Sequence, residues 1–151
     1  MPSDTIHEKE VVGRRAFGAD KHIFSKSGSV LHYKIDVFLD NRVGTGLSID
    51  RLGVGQIQTK IVRKLDALGH GMSKRTGKEF RGWATFPVFD FRQKTIPTMA
   101  IDEDNPYHAE ILRDGYQDAA ALRSLAFHLC VLASSHKFQE SLTPRSNSEA
   151  E

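Results

Sequence analysis

The chain has 151 residues, of which 39% are hydrophobic and 26% are charged, and its formal net charge is +2. These values are typical of one ordinary globular domain with a buried core, and they exclude a collagen, a coiled coil and a wholly disordered protein. No stretch reaches the about 18 apolar residues that span a bilayer, and no targeting signal opens the chain, so we expect a cytoplasmic protein that does not bind a membrane.

The two ends of the chain differ in composition from its middle. Residues 1–20 are polar, mixed in charge and without periodicity, which predicts a loosely ordered arm. Residues 139–151 hold almost no large apolar side chain and predict a disordered tail, because nothing there repays the entropy of ordering. Residues 21–138 contain neither an internal repeat nor a flexible linker, so we expect a single domain.

Residues 29–40 give the clearest strand pattern, because apolar and polar side chains alternate along them. The polar face carries His32, Lys34 and Asp36. A base, a cation and an acid on one face can bind an anion or move a proton, which makes Asp36 a candidate catalytic carboxylate. The same pattern is also that of a solvated sheet face.

A helix is predicted over residues 56–68 from an apolar stripe with spacings of four, four and three, and two glycines after it are expected to end it. The rest of this helix and the loop after it are basic. The candidate phosphate-binding residues are Lys60, Arg63, Lys64, Lys74 and Arg75. Basic residues beside aromatic ones are typical of a nucleic-acid interface, but the small net charge favours a solvated helix face.

Four more segments complete the predicted fold. Residues 83–91 are dense in aromatic side chains and predict a strand, and residues 96–101 are expected to return beside it as a β-hairpin. Residues 107–112 predict an extended piece, and residues 117–136 predict a long helix that is apolar on most sides. We therefore expect an α+β domain in which an antiparallel sheet of about four strands packs on two helices, with the C-terminal helix central. A parallel βαβ unit ending at 83–91 stays open.

Asn105 opens a polar segment, N-P-Y-H-A-E-I, that follows an acidic turn. If this segment is extended, His108 and Glu110 share a face, and a carboxylate beside an imidazole orients it for general acid or base catalysis. The same donors suit a divalent cation, although we assign no metal site. The structural alternative is a charged turn in which Asn105 caps the backbone.

A third polar segment, G-L-S-I-D-R, is predicted to be a turn. Asp50 beside Arg51 can form a bidentate pair that pins the turn, or Arg51 can present its guanidinium to a phosphate or a carboxylate. No nucleotide-binding loop of GxxxxGK[ST] or GxGxxG spacing is present. The lone Cys130 excludes an internal disulfide and a CxxC zinc site.

These motifs carry a resemblance. The combination of G-L-S-I-D-R, F-R-G-W-A and N-P-Y-H-A-E-I resembles a group of small prokaryotic proteins to which no activity, cofactor or substrate is attached, and it covers roughly residues 24–135. The resemblance implies that certain residues of the two polar motifs lie together in the fold. They are Ser48, Asp50, Arg51, Asn105, Pro106, His108 and Glu110.

Three functions follow as hypotheses. The first is a module that binds a small anionic ligand or a protein partner in a polar pocket near Asp50, Arg51 and residues 105–110. Its candidate ligand-binding residues are His32, Lys34, Ser48, Asp50, Arg51 and Asn105. Another hypothesis is a nucleic-acid-binding protein that uses the basic stretch of residues 60–81.

The remaining hypothesis is a hydrolase or nuclease-like toxin. In it His108 is the general acid or base, Glu110 or Asp36 orients it or holds a metal, and Arg51 or Lys34 binds a phosphate. It requires these side chains to lie within hydrogen-bond reach of each other, directly or through one water, and it fails if the two halves of the site are more than about 10 Å apart. Whether the protein is an enzyme and whether it uses a cofactor both stay open, and the apolar strand and helix are compatible with a homodimer.

Overall fold

The computed structural model describes residues 5–17, 23–27, 30–40, 42, 44–54, 57–77 and 79–141. Its strands are β1 (Glu10–Phe17), β2 (Ile23–Ser27), β3 (Val30–Tyr33), β4 (Leu47–Val54), β5 (Phe80–Pro87), β6 (Met99–Asp102), β7 (Asn105–Ile111) and β8 (Gln139–Glu140). Its helices are α1 (Thr59–Thr76), α2 (Val88–Lys94) and α3 (Ala119–Ser134), and a 3-10 turn spans Ile35–Val37. None of the helices in these ranges has the length and apolarity that a bilayer crossing requires.

The central feature is an open antiparallel sheet in the order β6-β7-β4-β1-β5-β8, beside a separate β2–β3 hairpin. The α+β class is confirmed, but the described residues form a sheet of six strands instead of about four, and three helices instead of two. β4 and β5 both run antiparallel to β1 and are therefore parallel to each other, with α1 as their connection. The parallel unit left open by the sequence thus exists, but it starts from β4.

Two apolar cores lie on opposite faces of the sheet. Leu47 and Ile49 of β4 pack in the core that contains α3, whereas Leu52, of opposite parity on the same strand, packs with Trp83 and α1. Because successive side chains of a strand point to opposite faces, α1 and α3 cover different sides. The sheet is thus buried from both sides, which explains why its inner strands do not show a clean alternation.

The prediction of a loosely ordered arm at the N-terminus is wrong for residues 10–17. They form β1, which pairs with β4 on one side and with β5 on the other. Gly13 brings β1 close to β5, since a Cβ added there would lie 3.0 Å from Ala84 O and from the Cβ of Trp83. The sequence of β1 does not show the pattern of a strand, because Arg14 and a glycine occupy positions at which a central strand usually has apolar side chains.

The strand predicted over residues 29–40 is also wrong in extent. β3 ends at Tyr33, and the following residues turn as the 3-10 segment. A strand and a 3-10 turn both bury apolar side chains at regular intervals, so the sequence pattern does not distinguish them. Val37 and Phe38 reach the core from a turn instead of from a strand. Lys34 and Asp36 consequently do not continue a strand face with His32, whose side chain is not among those that the structure describes.

The helix predicted over residues 56–68 exists but is longer than expected. α1 continues through Gly69 and Gly71 and ends at Gly77, which adopts a left-handed φ of 74°. Gly69 is needed inside the helix because the ring of Phe80 packs on it, 2.7 Å from where a Cβ would lie. Glycine at this position therefore marks a close contact instead of a helix end.

The β-hairpin predicted between residues 83–91 and 96–101 does not form. Pro87 closes β5 with an extended backbone, and Val88–Lys94 is the helix α2, whose Val88 and Phe91 are buried one turn apart. β5 pairs instead with β1 and β8, and β6 pairs with β7. A proline that lacks the ladder donor is well suited to this change from strand to helix.

The terminal helix is confirmed as α3, and Asp118 caps it by accepting a hydrogen bond from Ala121 N at 2.8 Å. We expected α3 to be covered by other parts of the protein on most sides, but the described residues leave one side exposed, where Phe127 and Val131 are 61% and 53% exposed. The predicted disordered tail is wrong for β8, which pairs with Gly82 and Trp83 at the sheet edge. Residues 142–151 of that tail lie outside the described residues.

The two glycines of α1 give a matched test of this packing. We expect Gly71→Ala to stabilise the protein by about 0.5–1 kcal/mol, because nothing lies within 4 Å of the new Cβ and alanine favours a helix. Gly69→Ala should instead destabilise it by about 1–3 kcal/mol, since the buried ring of Phe80 must move. Urea denaturation of both variants measures this, and equal effects would contradict the packing of Phe80 on α1.

Candidate functional site

The pairing of β4 with β7 brings the two polar motifs of the sequence side by side. Asp50 is opposite His108 and Ser48 is opposite Glu110. Opposite residues of antiparallel strands project from the same face of the sheet, so these four side chains form one block. The hydrolase hypothesis names Glu110 or Asp36 as the carboxylate partner of His108, but the carboxylate that the described structure places beside His108 is Asp50.

A pocket of about 390 Å³ opens beside this block. Its lining combines charged and polar side chains with an apolar wall. The lining residues are Gly13, Arg14, Arg15, Phe17, Asp36, Leu39, Ser48, Ile49, Asp50, Met72 and His108. Of the predicted residues whose side chains the structure describes, Asp36, Ser48, Asp50 and His108 line the pocket, whereas Lys34, Arg51, Asn105 and Glu110 do not.

Asp50 is the centre of the polar network, with a side chain only 3% exposed. Its carboxylate accepts hydrogen bonds from Arg15 Nε at 2.9 Å, Arg15 Nη2 at 3.3 Å and Trp83 Nε1 at 2.8 Å. His108 Nδ1 lies 3.6 Å from Asp50 Oδ1. Three N–H donors from two side chains and one imidazole therefore surround the Asp50 carboxylate, whose buried charge would be destabilising without partners.

The expected pair between Asp50 and Arg51 is wrong, because the segment is a strand and neighbours on a strand point to opposite faces. Arg51 instead forms a buried ion pair with Glu10, at 2.5 and 2.9 Å, and donates to Pro106 O at 2.8 Å and Thr5 O at 3.2 Å. Both side chains of the pair are 2% exposed. Arg51 ties β1, β4 and β7 together and is not open to a ligand.

His108 faces the pocket with a side chain that is 22% exposed. Its carboxylate neighbour is Asp50, since the described residues show no ion pair between His108 and Glu110. The ring nitrogen next to Asp50 is Nδ1, and Nε2 has no partner among the described residues. This arrangement orients an imidazole for proton transfer or for binding an anion.

Arg14 lies where the sheet opens. β1 and β4 pair only as far as Gly13 and Asp50, and Arg14 spans the gap by donating from Nε to Val37 O at 3.0 Å and from Nη1 to Ser48 O at 2.8 Å. Both acceptors are neutral carbonyls, and no carboxylate of the described residues forms an ion pair with Arg14. Burial is the main cause that lowers the pKa of its guanidinium, and the positive charge of Arg113 adds to it.

The other predicted residues are structural or lie elsewhere. Asn105 Oδ1 accepts a hydrogen bond from Tyr107 N at 3.1 Å, which is the capping alternative named above. The basic side chains of α1, namely Lys60, Arg63, Lys64, Lys74 and Arg75, are exposed outside the pocket. Lys64 Nζ lies 4.5 Å from the centre of the Tyr107 ring, a cation–π contact. Burial raises the pKa of the Cys130 thiol to about 12, as expected of an unreactive cysteine.

Sequence reasoning missed the two arginines of the pocket, because Arg14 and Arg15 stand in the segment that was expected to be an arm. The signal was present in V-V-G-R-R-A-F, where apolar residues flank both arginines. Met72 was missed because α1 was expected to end earlier. Within the ranges that the structure describes, no group of three His, Cys, Asp or Glu side chains could hold a metal ion.

No family model, curated protein or solved structure matches this chain. This agrees with the resemblance, which attaches no function to the motifs. The function therefore has to be inferred from the chemistry of the pocket.

The loop that borders the pocket gives a prediction about acid stability. Arg42 donates to both Asp40 oxygens, with Nη2 at 2.6 Å and Nε at 3.0 Å, and these hydrogen bonds lower the pKa of Asp40 to about 2. Arg113 holds the same loop through the carbonyls of Asp40, Arg42 and Thr45.

Because the pKa of Asp40 is lower in the folded state, its stabilising effect is complete above about pH 4 and is lost as the pH falls towards 2. Wild type should exceed Asp40→Asn in free energy of unfolding at pH 6, by up to about 1 kcal/mol since Arg42 is exposed. The two should converge near pH 2. Urea denaturation between pH 6 and pH 2 measures this, with exposed Asp104→Asn as the control. A gap that does not change with pH would contradict the assignment.

Proposed function

We propose that this protein is a binding module whose pocket holds a small molecule with an oxyanion group, a carboxylate or a phosphate. The observation that carries the proposal is Arg14, a guanidinium in the pocket wall whose described hydrogen-bond acceptors are two neutral carbonyls. Of its five N–H groups, three have no acceptor among the described residues. A guanidinium with a free edge matches an oxyanion in geometry and in charge.

The charges around Arg14 support an anionic ligand. The carboxylates that act on Arg14 are Asp40 and Asp50, and each is already bonded to another arginine. Arg113, which also acts on Arg14, is bonded to backbone carbonyls and the Thr45 hydroxyl. Both carboxylates are therefore shared with other arginines, and an incoming anion would give Arg14 the ion-pair partner that its described hydrogen bonds do not supply.

The remaining wall suits a small organic molecule. Phe17, Leu39 and Met72 supply apolar surface, while Ser48 and His108 supply further hydrogen-bonding groups. The volume of about 390 Å³ lies within the range of ligand pockets in proteins.

The proposal is tested by titrating benzoate, phenyl phosphate and L-phenylalanine into wild type and Arg14→Met, with NMR shifts or calorimetry as the readout. We expect at least one compound to bind to wild type and to lose tenfold or more in affinity in Arg14→Met, because a charged hydrogen bond contributes about 1.5–3 kcal/mol. Arg63→Met, which removes an exposed arginine of α1, is the matched control and should bind as wild type does. Binding that ignores Arg14, or binding of no compound, would refute the proposal.

A second candidate function, a hydrolase, rests on His108. Its Nδ1 faces a carboxylate that Arg15 and Trp83 hold in place, and Ser48 lines the same pocket. Such a histidine can act as a general base towards water, a step that contributes about 10²–10⁴-fold to a rate.

The hydrolase candidate predicts turnover of p-nitrophenyl acetate, p-nitrophenyl phosphate or bis-p-nitrophenyl phosphate by wild type. His108→Asn should lower the rate at least about 100-fold. His128→Asn, an exposed histidine of α3, should leave the rate unchanged. Absence of turnover, or equal loss in both variants, would leave the binding function alone.

A further inference from the structure

The pocket contains a second side chain whose bonding capacity is not used. Asp36 lies on the 3-10 turn, is exposed and lines the pocket, and its carboxylate has no hydrogen bond or ion pair among the described residues. The other lining carboxylate, Asp50, is already occupied by Arg15, Trp83 and His108. Arg14 and Asp36 are therefore the charged lining side chains that form no ion pair among the described residues, and their charges are opposite.

Arg14 and Asp36 reach the pocket from neighbouring points of its wall. Arg14 Nε donates to the carbonyl of Val37, the residue directly after Asp36. They nevertheless form no ion pair with each other within the described structure, so they do not neutralise one another. A ligand that enters between them meets a cation and an anion a short distance apart.

We infer that the natural ligand is amphoteric: an amino acid with an apolar side chain, whose carboxylate binds Arg14 and whose ammonium group binds Asp36. This inference rests on the proposed function and narrows its ligand class. One carbon separates the two charged groups of an amino acid, which suits two protein groups on adjacent wall segments. The apolar side chain would lie against Phe17, Leu39 and Met72.

Asp36 also disfavours the competing ligand class. A phosphate ester carries up to two negative charges, and a carboxylate in the same pocket repels it. An ammonium group instead donates a charge-assisted hydrogen bond to the Asp36 carboxylate. Asp36 is thus the residue that selects between a zwitterion and a simple anion.

The test uses L-leucine, L-methionine and L-phenylalanine, each compared with its N-acetyl form, which keeps the carboxylate and removes the ammonium charge. Calorimetric titrations are made with the full chain of wild type, Asp36→Asn and Asp104→Asn. We expect at least one free amino acid to bind wild type tenfold or more tightly than its N-acetyl form. In Asp36→Asn this preference should fall below threefold while the N-acetyl form binds as well as before or better. Asp104→Asn, an exposed acid in the β6–β7 turn, should keep the preference.

The outcomes separate the two proposals. If N-acetyl forms bind through Arg14 but free amino acids bind no more tightly, or if the preference survives in Asp36→Asn, the amphoteric ligand is refuted and the anion-binding function stands. If neither form binds wild type and benzoate and phenyl phosphate also fail, the binding function itself is refuted. Because Asp36 is exposed and makes no described bond, Asp36→Asn is expected to fold, and its circular dichroism spectrum checks this.

Discussion

A single buried carboxylate couples the four inner strands of the sheet. Asp50 of β4 accepts hydrogen bonds from Arg15 of β1 and Trp83 of β5, and it faces His108 of β7. A charge in this position is stable only while its partners remain, because an unpaired buried ion costs several kcal/mol. The strand register therefore has to be the one that brings all four side chains together. A shift of β1 by one residue would turn Arg15 to the other face and leave Asp50 unpaired.

The arginines on β1 and β4 divide into two kinds. Arg15 forms an ion pair with Asp50, and Arg51 forms one with Glu10, so both arginines stabilise the fold. Arg14 donates only to two backbone carbonyls, and its other N–H groups have no acceptor among the described residues. Arg14 and Arg15 both line the pocket, but Arg15 is paired with Asp50, whereas the described hydrogen bonds of Arg14 go only to two backbone carbonyls. This difference, more than the number of basic residues, is the reason for assigning the ligand contact of the proposed function to Arg14.

The sequence was informative where pattern and environment agree. β7 and α3 were predicted because an extended N-P-Y-H-A-E-I segment and an apolar stripe have few other solutions, and Asp50 and His108 were picked out by their chemistry. The prediction failed where tertiary contacts decide. β1 is covered on both faces and so lacks alternation, Gly69 looks like a helix end but serves Phe80, and the partner of Asp50 comes from a segment 35 residues away. Local periodicity carries no information on such pairings.

The pocket and the irregularity of the sheet are the same feature. A backbone carbonyl in a sheet needs a donor, and a neighbouring strand that continued to pair beside Ser48 would supply it. The register of β1 on β4 shifts between Val11 and Val12, and the pairing stops at Gly13. Arg14 Nη1 then supplies the donor to Ser48 O that the ladder no longer provides. The guanidinium is held in the gap by the bonds that close the backbone, so its remaining N–H groups are fixed in direction before any ligand arrives. A group held in this way loses little entropy on binding, which is what a selective site for a small charged molecule requires.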